Sequence, residues 1–375
     1  MTELRDKLTT ANLWVVKVGS AILTSGGEGV SESFIDSLAN QILQLRQLGY
    51  KVVLVSSGAI AQGMARLNWN ERPKELNMQQ AAAAVGQTDL IHSYQACFEK
   101  YNITTAQVLL THDDIANRQR YLNAKSALHV LLDLGVVPII NENDMVAVDE
   151  IRFGDNDSLA ALVVNLLQAD NLIILTDQSG MYNKNPAEFK DAILLDEVMV
   201  EDKKLDNMAS SKGGNLGKGG MLSKLIAARI AAKSGANTII APGKMNQILL
   251  KISQGEKVGT LLTPAAKPLN LKSQWLISQL QVKGKVVLDQ GAVNALVNNG
   301  KSLLSIGIIE SSGDFKRGEL VTCVDSNEKE LARGLINYNS KDTKRICGKS
   351  SSDIELILGY IDEDELIHRD NLVLI

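Results

Sequence analysis

A mainly parallel α/β sheet with helices on both faces, followed by a smaller, mostly β domain, is the fold class that the sequence predicts. Three observations point to it. Short apolar runs alternate with helical periodicity over residues 13–241, the syntax of βαβ units. Several of those runs are apolar at consecutive positions, as strands buried on both faces are. Beyond residue 280 the pattern changes to short runs such as KVVLD, SLLSIGII and ELVTCV, split by Gly, Asn and Asp.

The first run, LWVVKV at 13–18, reads as a strand that stops at Gly19 and Ser20. Residues 33–48 follow as a helix, with Phe34, Leu38, Ile42 and Leu45 at helical spacing and Gly49 as the stop. Strand 51–55, a long helical stretch 75–100, strand 103–110, helix 117–134 and strand 136–140 come next. Helix 158–169, strand 172–176, helix 220–234 and strand 238–241 complete the alternation, joined by crossovers of one hand. The segment PAAKPLNLKSQ holds two of the six prolines and divides the chain. The expected boundaries are 1–265 for the first domain, 266–280 for a linker and 281–375 for the second.

Composition narrows the function classes. The chain has 375 residues, 45% of them hydrophobic, and a net charge of -4 with both signs mixed throughout, so no overall field draws it to nucleic acid or an anionic membrane. Cys97, Cys323 and Cys347 lack any C-x-x-C spacing, which speaks against zinc, a disulfide framework or a redox pair and fits a reducing cytoplasm. The start of the chain has no apolar stretch of signal-peptide length, and no run of about 18 apolar residues would span a bilayer.

Four segments place unusual chemistry at strand ends. Lys17 stands inside the first apolar run, where an ammonium group needs an anion, either a structural carboxylate or a ligand. In VLVSSGAIAQG the strand 51–55 stops at Ser56, Ser57 and Gly58, a common turn that also offers amide donors and the Ser57 hydroxyl. The third segment, IINENDMVAVDEIRFGDNDSLAAL, carries Asn141, Glu142, Asn143 and Asp144 at a strand end and Asp155, Asn156 and Asp157 at a helix start. One of the latter group serves as an N-cap. A calcium loop would need glycine at position six and glutamate at twelve, and both are missing. A polar cup for an amino-acid-like ligand fits better, with amides for a carboxylate and acids for an ammonium. The fourth, NLGKGGMLSKLIAARIAAKSG, runs Gly217, Gly219 and Gly220 into a helix with Lys218 and Lys224 nearby. That is either anion-binding geometry at a helix start or a surface loop with solvated lysines. It is not a Walker P-loop. The stretch TDQSG at 176–180 ends another strand and lines the same expected crevice.

Taken in order, VVKVGS, VSSGAIAQG, INENDMVAVDEIRFGDNDSLAAL, LTDQSGMY and GKGGMLSK resemble the amino acid kinase family, specifically members that phosphorylate the γ-carboxylate of glutamate in proline synthesis. The segment from about residue 281 is similar to the PUA domain. The resemblance implies a three-layer α/β/α sandwich and ATP and Mg²⁺ as cofactors. It implies Lys17 and Lys224 beside the transferring phosphoryl group with Asp157 as their organiser, and Ser57, Asp144 and Asn156 as the glutamate site. Lys17, Thr176, Asp177 and the run Lys218, Gly219, Gly220, Met221, Leu222, Ser223 and Lys224 match the ATP site, with Mg²⁺ carried by the phosphates and no protein ligand assigned. Lys218 departs from the family, which often has threonine there. Also implied are a homo-oligomer (dimer or tetramer), proline as feedback inhibitor and contact with glutamyl phosphate reductase.

Elementary chemistry agrees with this resemblance. A γ-carboxylate has a reference pKa of about 4.3, so it is an anion at neutral pH and needs no general base. His92, His112, His129 and His368 therefore receive no chemical role. The difficulty is that one anion attacks another, and two lysines with Mg²⁺ suit the charge that spreads over the phosphoryl oxygens. Asp149, Glu150 and Arg152 fall in the loop of the third segment, as solvated charges, as part of a closing loop or as the proline feedback site that the resemblance implies. Residues 275–375 hold 12 Lys plus Arg against 15 Asp plus Glu, a net of -3, which disfavours nucleic acid as a partner.

Overall fold

A computed structural model of the chain describes residues 5, 7–10, 12–24, 29–146, 156–209, 220–264 and 282–375. The expected linker 266–280 lies outside the described residues. The chain forms two compact units, Met1–Pro268 and Leu269–Ile375.

Among its described residues the first unit has eight strands: β1 (Leu13–Val18), β2 (Lys51–Val55), β3 (Thr105–Leu110), β4 (Val137–Glu142), β5 (Asn171–Thr176), β6 (Glu197–Met199), β7 (Asn237–Pro242) and β8 (Thr260–Thr263). They form one sheet in the order β3-β4-β2-β1-β5-β7-β8-β6, parallel except where β8 runs against β7. Its described helices are α1 (Ser20–Leu23), α2 (Glu32–Gln47), α3 (Ala59–Arg66), α4 (Leu76–Glu99), α5 (His112–Ala116), α6 (Arg118–Asp133), α7 (Asn156–Leu167), α8 (Lys204–Ala209), α9 (Met221–Ala232) and α10 (Ile248–Ser253). Among them, none is long and apolar enough to cross a membrane.

Alternation along β1 sorts the two faces of the sheet. Trp14, Val16 and Val18 enter a core shared with Ile35, Leu38 and Ile42 of α2, Leu90 and Tyr94 of α4 and Leu249 and Ile252 of α10. Val15 and Lys17 take the opposite face, where α7 packs on β1. The residues of β4, β5 and α7 that read as continuous apolar runs are buried throughout, as helices on both faces require.

The chain leaves β1 for β2 on one side, then returns from β4 to β5 on the other. The carboxyl ends of β1 and β5 therefore flank a crevice where successive crossovers part. β4 also runs two residues beyond the expected end, so Asn141 and Glu142 are ladder residues paired opposite Leu109 and Leu110. The short strands β6 and β8 carry too few residues to show a period, and the sequence reading passes over them.

In the second unit, β9 (Gly284–Leu288), β10 (Ile308–Gly313), β11 (Leu320–Val324), β12 (Glu330–Leu335) and β13 (Leu372–Leu374) form a separate sheet in the order β10-β9-β11-β12-β13. Among the described residues, the short helices α11 (Gln290–Val297), α12 (Ser340–Ile346) and α13 (Ile354–Leu358) pack with it around a core that includes Val286, Phe315, Val321 and Tyr338.

The wall of the crevice that follows β2 depends on how closely α3 approaches α4. A Cβ on Gly63 would lie 1.7 Å from the Ala82 carbonyl oxygen, and one on Gly86 would lie 1.9 Å from that of Ala59. Only glycine permits this crossing. Gly63→Ala or Gly86→Ala will force the helices apart and lower unfolding stability by about 1–3 kcal/mol in urea titrations. A midpoint equal to that of the unmodified chain would show that the helices can slide without loss.

Candidate active site

The crevice centres on a buried carboxylate between two lysines. β1 delivers Lys17 to the face on which α7 begins, and its Nζ lies 2.6 Å from Asp157 Oδ1. α9 starts after Gly220 and brings Lys224 Nζ to 3.1 Å from Asp157 Oδ2. The Ser223 hydroxyl lies 2.9 Å from that same oxygen and 2.8 Å from the Gly220 carbonyl, with one proton to share between the two acceptors. Asp157 is wholly buried, and Lys17 and Lys224 are each only 6% exposed. Burial alone would push the Asp157 carboxyl up. The charges of Lys17 and Lys224, with hydrogen bonds from Lys17 and Ser223, outweigh it and hold the group down at about 2. Asp157 is thus ionised, and its single charge leaves the three-residue cluster with an excess of one positive charge.

On one side of this cluster, polar groups come from the ends of β2 and β4. Gly58, at φ 95°, turns the chain left-handed into α3 and leaves Ser57 at the crevice wall. Asn156 Nδ2 faces the Ser56 carbonyl, Ser57 Oγ at 3.2 Å and Asn141 Oδ1 at 2.9 Å, tying β2, β4 and α7 together. Asn141 in turn donates from Nδ2 to Gln87 Oε1 at 2.7 Å. Asp144 sits on the turn that follows β4, where the Asn143 amide donates to the Leu110 carbonyl. Glu142 is buried, and His112 Nδ1 stands 3.8 Å from its Oε2.

On the other side, the Thr176 hydroxyl ends β5 and donates to Asp177 Oδ1 at 3.0 Å. Tyr182, Lys184, Met208 and Met221 continue this wall, and the whole cleft measures about 850 Å³, within the range of small-molecule sites. Its far side is braced by Arg229, whose guanidinium forks onto Asp206 at 2.6 and 3.0 Å and pins α8 to α9.

Of the residues singled out in the sequence, Lys17, Ser57, Asp144, Asn156, Thr176, Asp177, Gly220, Met221 and Lys224 all line this one cleft. Asp157 and Ser223 support it from behind. Leu222 is not among the lining residues and is 41% exposed. Lys218 and Gly219 lie outside the described residues, as do Asp149, Glu150, Arg152 and Asp155. The sequence reading misses Arg72 and Lys184, which also line the cleft. Both stand in polar loops, a pattern with no chemical signature.

Among the described residues no cluster of three or more His, Cys, Asp or Glu is arranged to hold a metal ion. The oxygens of Asp157 are engaged by Lys17, Lys224 and Ser223, so this carboxylate serves cations of the protein itself.

The model of the amino acid kinase family matches residues 12–242, and that of the PUA domain matches residues 284–358. A glutamate 5-kinase of Nitrosococcus oceani is 55% identical over 371 residues, covering 99% of this chain and 99% of its own length. That of Hydrogenovibrio crunogenus is 54% identical over 361 residues, 96% of each chain. The glutamate 5-kinase of Thioalkalivibrio sulfidiphilus is 51% identical over 375 residues and matches from end to end. Agreement of this extent with both the family model and the full-length relatives means that the chain belongs to the amino acid kinase family, with a PUA domain in its C-terminal part.

Proposed function

We propose that the chain transfers the γ-phosphoryl group of ATP, taken as its Mg²⁺ complex, to the γ-carboxylate of L-glutamate. The products are L-glutamyl 5-phosphate and ADP, the first step from glutamate towards proline. The single observation that carries this reading is the buried Lys17–Asp157–Lys224 cluster at the junction of two differently furnished halves of one cleft. The half bearing Ser57, Asp144 and Asn156 suits a small zwitterion, and the half bearing Thr176, Asp177, Gly220 and Met221 suits a nucleotide.

The chemistry needs little else from the protein. A carboxylate oxygen bonds to the γ-phosphorus while the bond to the β–γ bridging oxygen breaks, and ADP leaves with that electron pair. No proton moves. Lys17 and Lys224 offset the charge on the phosphoryl oxygens as it spreads in a loose transition state, and Asp157 fixes both without accepting a proton. Asn156 orients the acceptor, and Asp144 receives its ammonium. The 218–224 run, with Lys218 and Gly219 at its start, belongs to the ATP side, where Lys17 also reaches.

Residues 1–265 form the catalytic part in this reading, and 281–375 serve regulation or assembly, since the excess of acidic residues there weighs against an RNA partner. The enzyme works in the cytoplasm as a homo-oligomer, with proline as feedback inhibitor and glutamyl phosphate reductase as the consumer of its labile product.

Trapping the acyl phosphate with hydroxylamine tests the reaction directly. Hydroxamate and ADP should form with L-glutamate and not with aspartate or N-acetylglutamate; equal rates with all three would refute the assignment. Lys17→Ala and Lys224→Ala will each lower kcat by about 10²-fold or more with little change in glutamate KM, and an unaltered kcat removes that lysine from the phosphoryl site. Asp144→Ala and Asn156→Ala will instead raise glutamate KM; an effect confined to ATP would mean that the two halves are reversed. Because the Asp157 carboxyl is held below its ordinary value of 3.8, the stability it contributes is fully present above that pH and is lost as pH falls towards about 2. Acid titration of Asp157→Asn should lack that component, and a curve parallel to the unmodified chain's throughout this window would exclude it.

A further inference from the structure

The acceptor half of the cleft holds a cation that the chemistry above does not use. Four basic side chains among the described residues line the cleft: Lys17, Arg72, Lys184 and Lys224. Lys17 and Lys224 share Asp157, and Lys184 Nζ lies 2.5 Å from Asp191 Oδ2. Arg72 differs from all three. Its Nε and Nη2 both donate to the amide oxygen of Gln79, at 3.3 and 3.0 Å, and no carboxylate of the described residues pairs with it.

Gln79 belongs to a set. It is buried near the start of α4 and holds Arg72. Its neighbour Gln80 donates from Nε2 to the Met145 carbonyl at 3.3 Å, on the turn that carries Asp144. Gln87, two turns further on, accepts from Asn141 at 2.7 Å. Residues 79, 80 and 87 fall within about 100° of arc on a helix of 3.6 residues per turn, so one edge of α4 sets Arg72, the Asp144 turn and Asn141 in a common frame. The glycine contacts at Gly63 and Gly86 fix that helix against α3 and hence against Ser57.

We propose that Arg72 receives the α-carboxylate of the acceptor amino acid. The inference rests on the glutamate reading of the cleft. Glutamate brings three charges: the γ-carboxylate faces the lysine pair, the ammonium faces Asp144, and the α-carboxylate requires a donor of its own. A guanidinium tethered along one edge by an amide oxygen keeps its remaining N–H groups for a paired contact with a carboxylate. Because Gln79 is neutral, it holds the arginine in place without cancelling its charge, whereas an Asp or Glu there would compete with the ligand. Arg72 thereby selects acceptors with a free α-carboxylate.

The test compares L-glutamate with its α-amide, isoglutamine, which keeps the γ-carboxylate and the ammonium but loses the α-carboxylate charge. The unmodified enzyme should favour glutamate by about tenfold or more in kcat/KM, the range expected for hydrogen bonds to a charged group. In Arg72→Ala the glutamate KM should rise by a similar factor with kcat little changed, and the preference over isoglutamine should collapse. Arg72→Lys, which restores the charge without the fork, should recover part of it. Arg72 is exposed, so these variants probe recognition and not folding. An Arg72→Ala enzyme that keeps the full preference overturns the proposal, as does an unmodified enzyme active on glutamate yet indifferent between the two compounds. An unmodified enzyme that phosphorylates neither overturns the glutamate reading, and this proposal with it.

Discussion

Everything at the catalytic end of the sheet turns on the contact between Asp157 and the two lysines. Taking a carboxylate and two ammonium groups out of water is costly, and it is sustained only where geometry and hydrogen bonding are good. Here Lys17 approaches from β1, Lys224 from α9, Ser223 adds a hydroxyl, and the carboxylate stands at the first turn of α7, near the helix's positive end. Within the cluster two ammonium groups share one carboxylate. In the proposed reaction a phosphoryl group in transfer brings negative charge beside both lysines, so the arrangement is complementary to the reacting state.

The same contact joins two halves that are otherwise built differently. On the side that the proposed function gives to the acceptor, side-chain amides carry the structure: Asn156 spans Ser56, Ser57 and Asn141, Gln87 holds Asn141, and Gln80 holds the turn beyond β4. Amides donate and accept without carrying charge, so this network orders the cup without adding to its field. On the other side, charge and hydroxyls carry it. Arg229 forks onto Asp206, and Thr260 Oγ1 links the Met181 amide to the Leu195 carbonyl.

Much of this was legible in the sequence, because the signals were ones of polarity out of place. Lys17 inside LWVVKV, and the dense carboxamides and acids of NEND and GDND, announce themselves against an apolar background. Period-two alternation then decides which face Lys17 takes. What stayed hidden depends on contacts between distant segments. Nothing in ERPK marks Arg72, whose meaning comes from Gln79 on a helix that reads only as alanine-rich. The sequence analysis passes over α3, Gly63 and Gly86, and the crossing of α3 over α4 explains both glycines. The strands β6 and β8, of three and four residues, are made by pairing with neighbours and not by any pattern of their own.

The division of labour also explains why the cleft needs no group that titrates near neutrality. A histidine is valuable where a proton must move, and here none does. His112 accordingly stands behind the wall, beside Glu142, at the start of the capped helix α5. The lysines supply fixed charge, Asp157 is held in its ionised form far below the working pH, and the amides of the acceptor cup do not ionise at all. In the proposed reaction recognition and transfer fall to different residues that meet at the start of α7, where Asn156 faces Asn141 and Ser57 and Asp157 faces the lysines. In that reaction two adjacent residues on one helical turn would set the distance between the acceptor and the charge that drives its reaction, so that a shift of the turn alters both together.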